Sequence, residues 1–177
     1  MTNGYEAAKA QRHWLEQLQA RIPGFGGFAD RELRRDVDRL QREHMASELR
    51  RIKDRARERA REYTDAGRIG ELDRFDRLDR RLDGLAQAIR FADYGATGLF
   101  DPVKIGEPEL ARLYEHDLAV LDELAALARQ VAALPAPGAG ESAPALDAAL
   151  DQVRALEARW SGRETVIGDV VQTTGGR

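Results

Sequence analysis

Between residues 30 and 66 the apolar side chains Leu33, Val37, Leu40, Met45, Leu49, Ile52, Ala56, Ala60 and Tyr63 recur mostly at intervals of three or four. Only an α-helix puts that period on one face. Asp30 is a candidate N-cap, so the spacing predicts a helix to Ala66, roughly 55 Å long at 1.5 Å per residue. A helix of that length cannot cover its own stripe, so the rest of the chain has to supply partners. The interval opens to five between Leu40 and Met45, with His44 at the change of phase. A strict heptad fails there, and the pattern predicts a bundle rather than a long straight coiled coil.

The partners are readable in turn. "DAGRIG" breaks the first helix, and Ile69, Leu72, Phe75, Leu78, Leu82, Leu85, Ile89 and Ala92 mark a second over 69–92. So short a link makes the two an antiparallel hairpin. The second helix, at ~36 Å, covers only the later part of the first and leaves residues 29–42 to be covered by residues 5–22 or 91–109. Residues 5–22 place Ala8, Trp14 or Leu15, Leu18 and Ile22 on one face before Pro23 and its glycines end the run. Glu107 and Pro108 open a helix through Leu110, Leu113, Tyr114, Leu118, Leu121, Leu124, Ala128, Val131 and Leu134.

"PAPGAGESAP", residues 135–144, reads as a flexible linker. Beyond it, Leu146, Leu150, Val153, Leu156 and Trp160 mark an amphipathic helix over 145–162, able to pack on its own bundle or on another molecule. Residues 163–177 read as an extended tail. The expected architecture is all-α: an elongated helical bundle of about four core helices over 1–134, built on the long antiparallel hairpin, with a tethered fifth helix and an extended C-terminal tail.

Composition agrees, with 33% charged and 6% aromatic residues, the balance of long helices packed through aliphatic seams. There is no cysteine, which excludes disulfide, thiolate and cysteine–metal chemistry. The first 20 residues lack the apolar core of a signal peptide, and no run approaches the ~20 apolar residues of a membrane span. A cytoplasmic chain, peripheral to a membrane at most, is the expectation. Residues 1–92 hold 21 basic and 17 acidic groups, and residues 93–177 hold 7 and 14, so the two halves attract.

Several patterns resemble chemical sites and have simpler readings. "GFGGFA", 24–29, fits G-x-G-x-x-A, but a helix and a proline precede it where a dinucleotide site needs a strand. Asp73, Asp76, Asp79 and Asp83 share a helix face, yet interleaved arginines form i,i+4 pairs with them, which reads as a solvated face rather than a cation site. Glu43–His44 and Glu115–His116 are adjacent and point about 100° apart, unlike the Glu-x-x-His pairs of a di-iron bundle. His13, His44 and His116 have no nucleophile or carboxylate at a catalytic spacing. The expectation is no catalytic residue, cofactor, metal or small-molecule substrate, and no enzyme.

What remains are docking surfaces. Residues 50–61, "RRIKDRARERAR", hold seven basic groups and two acids. Arg50, Lys53, Arg55, Arg57 and Arg59 flank the stripe while Asp54 and Glu58 oppose it, an arrangement that suits an anionic membrane surface. Nucleic acid ranks behind, for want of interleaved aromatics. Ala56 and Ala60 favour close helix packing instead, with the acids of 107–134 as internal partners. Phe25, Phe28, Phe91, Tyr94 and Phe100 cluster in two irregular segments and form a cap over residues 29–42, or else Tyr94, Leu99 and Phe100 form an exposed tip that inserts into a partner groove or a bilayer interface. Leu146, Leu150, Val153, Leu156, Trp160, Val166 and Ile167 are the partner-binding candidates of the C-terminal helix and tail. The sequence reading is a non-enzymatic helical scaffold or adaptor that assembles with itself or a protein partner. Its alternative is a peripheral membrane-binding or remodelling protein using 50–61.

Overall fold

A computed structural model describes residues 16, 17, 19–22, 34–92 and 107–174. The helices are α1, Arg34–Asp65; α2, Leu72–Arg90; α3, Glu107–Ala132; and α4, Ser142–Thr174. Glu16, Gln17, Gln19, Ala20 and Arg21 are also helical, and no strand occurs among the described residues. The helices pack as an all-α bundle. The choice between cap and exposed tip for Phe25, Phe28, Tyr94, Leu99 and Phe100 lies outside the described residues. Phe91 is described and 70% exposed, with the Arg90 guanidinium 5.4 Å from its ring centroid, so it is no part of a buried cap.

The chain divides into two compact units: unit 1 comprises 1–44, 93–120 and 160–177, and unit 2 comprises 45–92 and 121–159. Unit 2 contains the later part of α1, all of α2, and parts of α3 and α4. Its interior is the aliphatic seam expected from the spacing, with Met45, Leu49, Ile52, Leu78, Leu82, Leu127, Leu146, Leu150, Val153 and Leu156 buried. Each such side chain contributes about 2 kcal/mol of transfer free energy. Lys53 meets Asp83 and Arg57 meets Asp79, so rising numbers on α1 face falling numbers on α2 and the hairpin is antiparallel. Arg74 with Asp147 and Arg81 with Glu157 rise together, so α2 and α4 run parallel.

The α1–α2 turn has a defined stop. Gly67 takes φ +69°, its N–H donates to Thr64 O, and the Arg68 N–H donates to Tyr63 O, which together are the paired bonds of a Schellman motif. Ile69, expected at the head of the second stripe, instead lies in a 3-10 turn, Ile69–Glu71, and is 75% exposed. Tyr63 stacks tilted on Phe75, 5.2 Å between centroids, while its hydroxyl donates to Pro135 O at 3.0 Å. That bond pins the start of the segment expected to be a flexible linker. Gly138 and Gly140, both at positive φ, complete the turn, and α4 begins at Ser142 with Pro144 in its first turn, where a missing N–H costs nothing.

Two further expectations change. The stripe Leu146, Leu150, Val153 and Leu156 is core of unit 2 and Trp160 is buried in unit 1; of the two occupants the sequence allowed, the chain's own helices cover it. The C-terminal helix does not stop at 162 but continues to Thr174. No proline follows Pro144, and Gly162 and Gly168 cost only about 1 kcal/mol each in a helix interior, a cost that the anchoring of Arg163 works against.

Candidate functional site

In unit 1 the buried apolar residues Leu113, Tyr114, Leu118, Val120 and Trp160 are joined by a cluster of buried charges. Asp38 and Arg42 on α1, Asp117 on α3 and Arg163 on α4 are all buried. Arg163 donates from Nε to Asp117 Oδ1 at 2.8 Å and from Nη2 to Asp117 Oδ2 at 2.9 Å. The same Nη2 donates to Asp38 Oδ1 at 2.5 Å, and Arg42 Nε donates to Asp38 Oδ2 at 2.9 Å. Each of the central groups therefore joins two opposite charges, and the formal charge of the four sums to zero. The Arg163 guanidinium also lies 5.1 Å from the Trp160 ring centroid, a cation–π contact that covers one face of the cation.

Burial pushes the Asp117 carboxyl up, but the Arg163 charge and the hydrogen bonds it receives outweigh that and hold it below the usual carboxylate range. Burial likewise lowers the Arg163 guanidinium, and Asp117 and Asp38 more than reverse the effect. His116 Nδ1 is 3.7 Å from Asp117 Oδ1, an ion-pair distance too long for a hydrogen bond. Gln41, one turn from Asp38 and fully buried, has no hydrogen-bond partner for either amide atom among the described residues.

None of Asp38, Gln41, Arg42, Asp117 or Arg163 was a site candidate from the sequence. The signal was present in the periodicity. Stepping back from Met45 by three and four reaches Arg42, Gln41 and Asp38, so the change of phase after Leu40 marks polar residues taking the seam, and Leu40 itself is only half-buried. Asp117 lies three beyond Tyr114 and four before Leu121, and Arg163 lies three beyond Trp160.

Unit 2 carries the basic segment. Of its candidates, Lys53 pairs with Asp83 and Arg57 with Asp79 through Nε at 2.5 Å, while Arg59 pairs with Glu62 at 2.6 Å within α1. The partners of Lys53 and Arg57 are therefore two of the four α2 carboxylates expected to form a solvated face, not the acids of 107–134. The Asp79 hydrogen bond raises the Arg57 guanidinium, and the Lys53 hydrogen bond lowers the Asp83 carboxyl. Arg50 and Arg55 are exposed with no ion pair or hydrogen bond among the described residues. Arg55, Glu58, Arg59 and Glu62 line an open depression of about 230 Å³ with Val131 and Ala132. Val166 is half-buried, and the Ile167 side chain is outside the described residues.

No group of three or more His, Asp or Glu side chains among the described residues is placed to hold a metal ion, and no described helix is long and apolar enough to cross a membrane. No family model, curated protein or solved structure matches this chain.

Proposed function

We propose that this chain is a non-enzymatic helical scaffold or adaptor that assembles with itself or a protein partner through its charged exterior. The supporting observation is how α1 uses its cations. Lys53 and Arg57 are paired with Asp83 and Asp79 on α2, while Arg50, Arg55 and Arg61 stand exposed with no ion pair among the described residues, as does Glu58. A membrane or a nucleic acid presents a uniformly anionic surface and favours a uniformly cationic face. A face of alternating sign is matched instead by another protein surface of alternating sign, where complementary charge gives register and selectivity.

Sedimentation velocity of the purified chain across a concentration series, with flotation against anionic vesicles in parallel, tests the reading. The expected result is concentration-dependent association and no flotation. A chain that remains monomeric and floats with vesicles overturns it in favour of the peripheral membrane alternative.

A further inference from the structure

Along one edge of α1 the order is Arg55, Glu58, Arg59, Glu62, at spacings of three, one and three. Those positions share a helix face. Reversing the direction of the row turns every cation into an anion and every anion into a cation. A row with that property is complementary to itself when two copies run antiparallel, because Arg55 then faces Glu62 of the other copy and Glu58 faces its Arg59. Pairing of identical surfaces about a two-fold axis has this reciprocity.

We propose that this edge of α1 is the docking surface for a second copy of this chain, with the two-fold axis passing between Glu58 and Arg59. The inference rests on the reading above that the chain assembles through its charged exterior, and it names the partner and the surface. Three features of the edge fit that occupant. Arg55 and Glu58 are exposed and have no ion pair among the described residues, although they are one turn apart. The one pair present, Arg59 with Glu62, is an exposed i,i+3 contact within a single helix, which an intermolecular partner can replace without stranding either charge. The remaining lining of the depression is Val131 and Ala132 of α3, side chains short enough to let a neighbouring helix approach.

Four charges along about 10.5 Å of one helix amount to a few side chains, against the roughly 20–30 residues a side of a standard interface. The dimer is therefore weak, and its contacts, being exposed, are screened by salt. Raising salt from about 0.05 M to 0.5 M should weaken it by about tenfold as these exposed pairs are screened.

The test is a charge swap on the full-length chain, read by sedimentation equilibrium, with circular-dichroism melts to verify folding. Arg55→Glu with Arg59→Glu makes the edge wholly acidic; Glu58→Arg with Glu62→Arg makes it wholly basic. Each variant alone should be monomeric where the wild type dimerises, and an equimolar mixture should form a heterodimer at least as tight as the wild-type dimer, since every facing pair is again opposite in sign. Two outcomes overturn the proposal, and they differ. Undiminished self-association of both variants, with no gain on mixing, removes this interface and leaves self-assembly standing. Absence of association in the wild type and in the mixture removes both this interface and self-assembly.

Discussion

In unit 2, Arg81 meets Glu157 with about a third of each side chain still in water, at 38% and 33% exposure. In unit 1, Arg163 meets Asp117 with 8% and 1% exposed. Both contacts join a guanidinium on one helix to a carboxylate on another, yet their physics is different. The half-buried pair keeps part of its hydration and is reached by screening salt, so making or breaking it changes less than for a buried pair. The buried pair has given up that hydration, and its members are tolerable only while every partner is in place. A contact of the first kind tunes a surface that is already formed by the aliphatic seam beneath it. A contact of the second kind decides which register the helices of unit 1 adopt, because a shift of one turn would leave Asp38, Asp117 and Arg163 buried without their opposites.

The sharpest way to break this contrast is to remove one member of the buried network. Asp117→Ala should destabilise unit 1 by about 3–5 kcal/mol, the usual cost of an uncompensated buried charge, read as lost hydrogen-exchange protection of the amides around 34–44 and 112–120. Replacing both members, Asp117→Leu with Arg163→Met, should cost less than the single change, since Arg42 still serves Asp38 at 2.9 Å; a double variant worse than the single one would show that the network is not the origin of the loss. The same contact makes unit 1 sensitive to acid. The Asp117 carboxyl is held below its unfolded value, near 3.9 for an ordinary aspartate. Its contribution is therefore complete above about pH 4 and is lost as pH falls from there through the lower folded value. Unit 1 should lose exchange protection in that window, and Asp117→Ala should remove this part of the acid sensitivity.

Gln41 tests the same burial from the opposite direction. Its amide is buried with neither atom bonded among the described residues, and an orphaned buried polar group costs about 1–3 kcal/mol. Gln41→Met keeps the length of the side chain and removes the amide, so it should stabilise unit 1 by up to that amount in urea melts. A loss of stability would mean that the amide has a partner in solution that Met cannot replace.

The difference between the units also explains what the sequence disclosed. Unit 2 was legible because its seam is aliphatic: Met45, Leu49, Ile52 and Tyr63 on α1 and Phe75, Leu78, Leu82 and Leu85 on α2 were read as stripe residues and are buried. The antiparallel hairpin followed from "DAGRIG", whose Gly67 makes the turn. In unit 1 the stripe residues Ile22, Leu113, Tyr114, Leu118 and Trp160 are legible and buried in the same way, but a search for apolar spacing passes over Asp38, Gln41 and Arg42. The interval of five before Met45 was visible; that polar side chains filled it depended on Asp117 and Arg163, which lie 79 and 125 residues beyond Asp38. The same distance hid the helix past 162. "GRETVIGDVVQTTGGR" has weak helix propensity when read alone, and the turn at Arg163 is held by two carboxylates that the local sequence does not contain. The row Arg55, Glu58, Arg59 and Glu62 on α1 is visible in the sequence as charge, but a count of seven cations against two acids over 50–61 conceals its order.

The smallest expected effect belongs to the more solvated side of the comparison. Arg81→Ala and Glu157→Ala, alone and together, form a double-mutant cycle across α2 and α4. Their coupling should be only about 0.2–1 kcal/mol and should fall toward zero as salt shortens the screening length from about 10 Å at 0.1 M to 3 Å at 1 M. The cycle is informative because Leu78, Leu82, Val153 and Leu156, the buried neighbours of the pair along the two helices, are untouched by it. A coupling of several kcal/mol that resists salt would place this pair in the same class as Arg163 and Asp117, and burial would no longer separate the two kinds of contact. A coupling within the exposed range leaves register in unit 2 to the aliphatic seam, with the ion pair acting only as a trim on helices that the seam has already aligned.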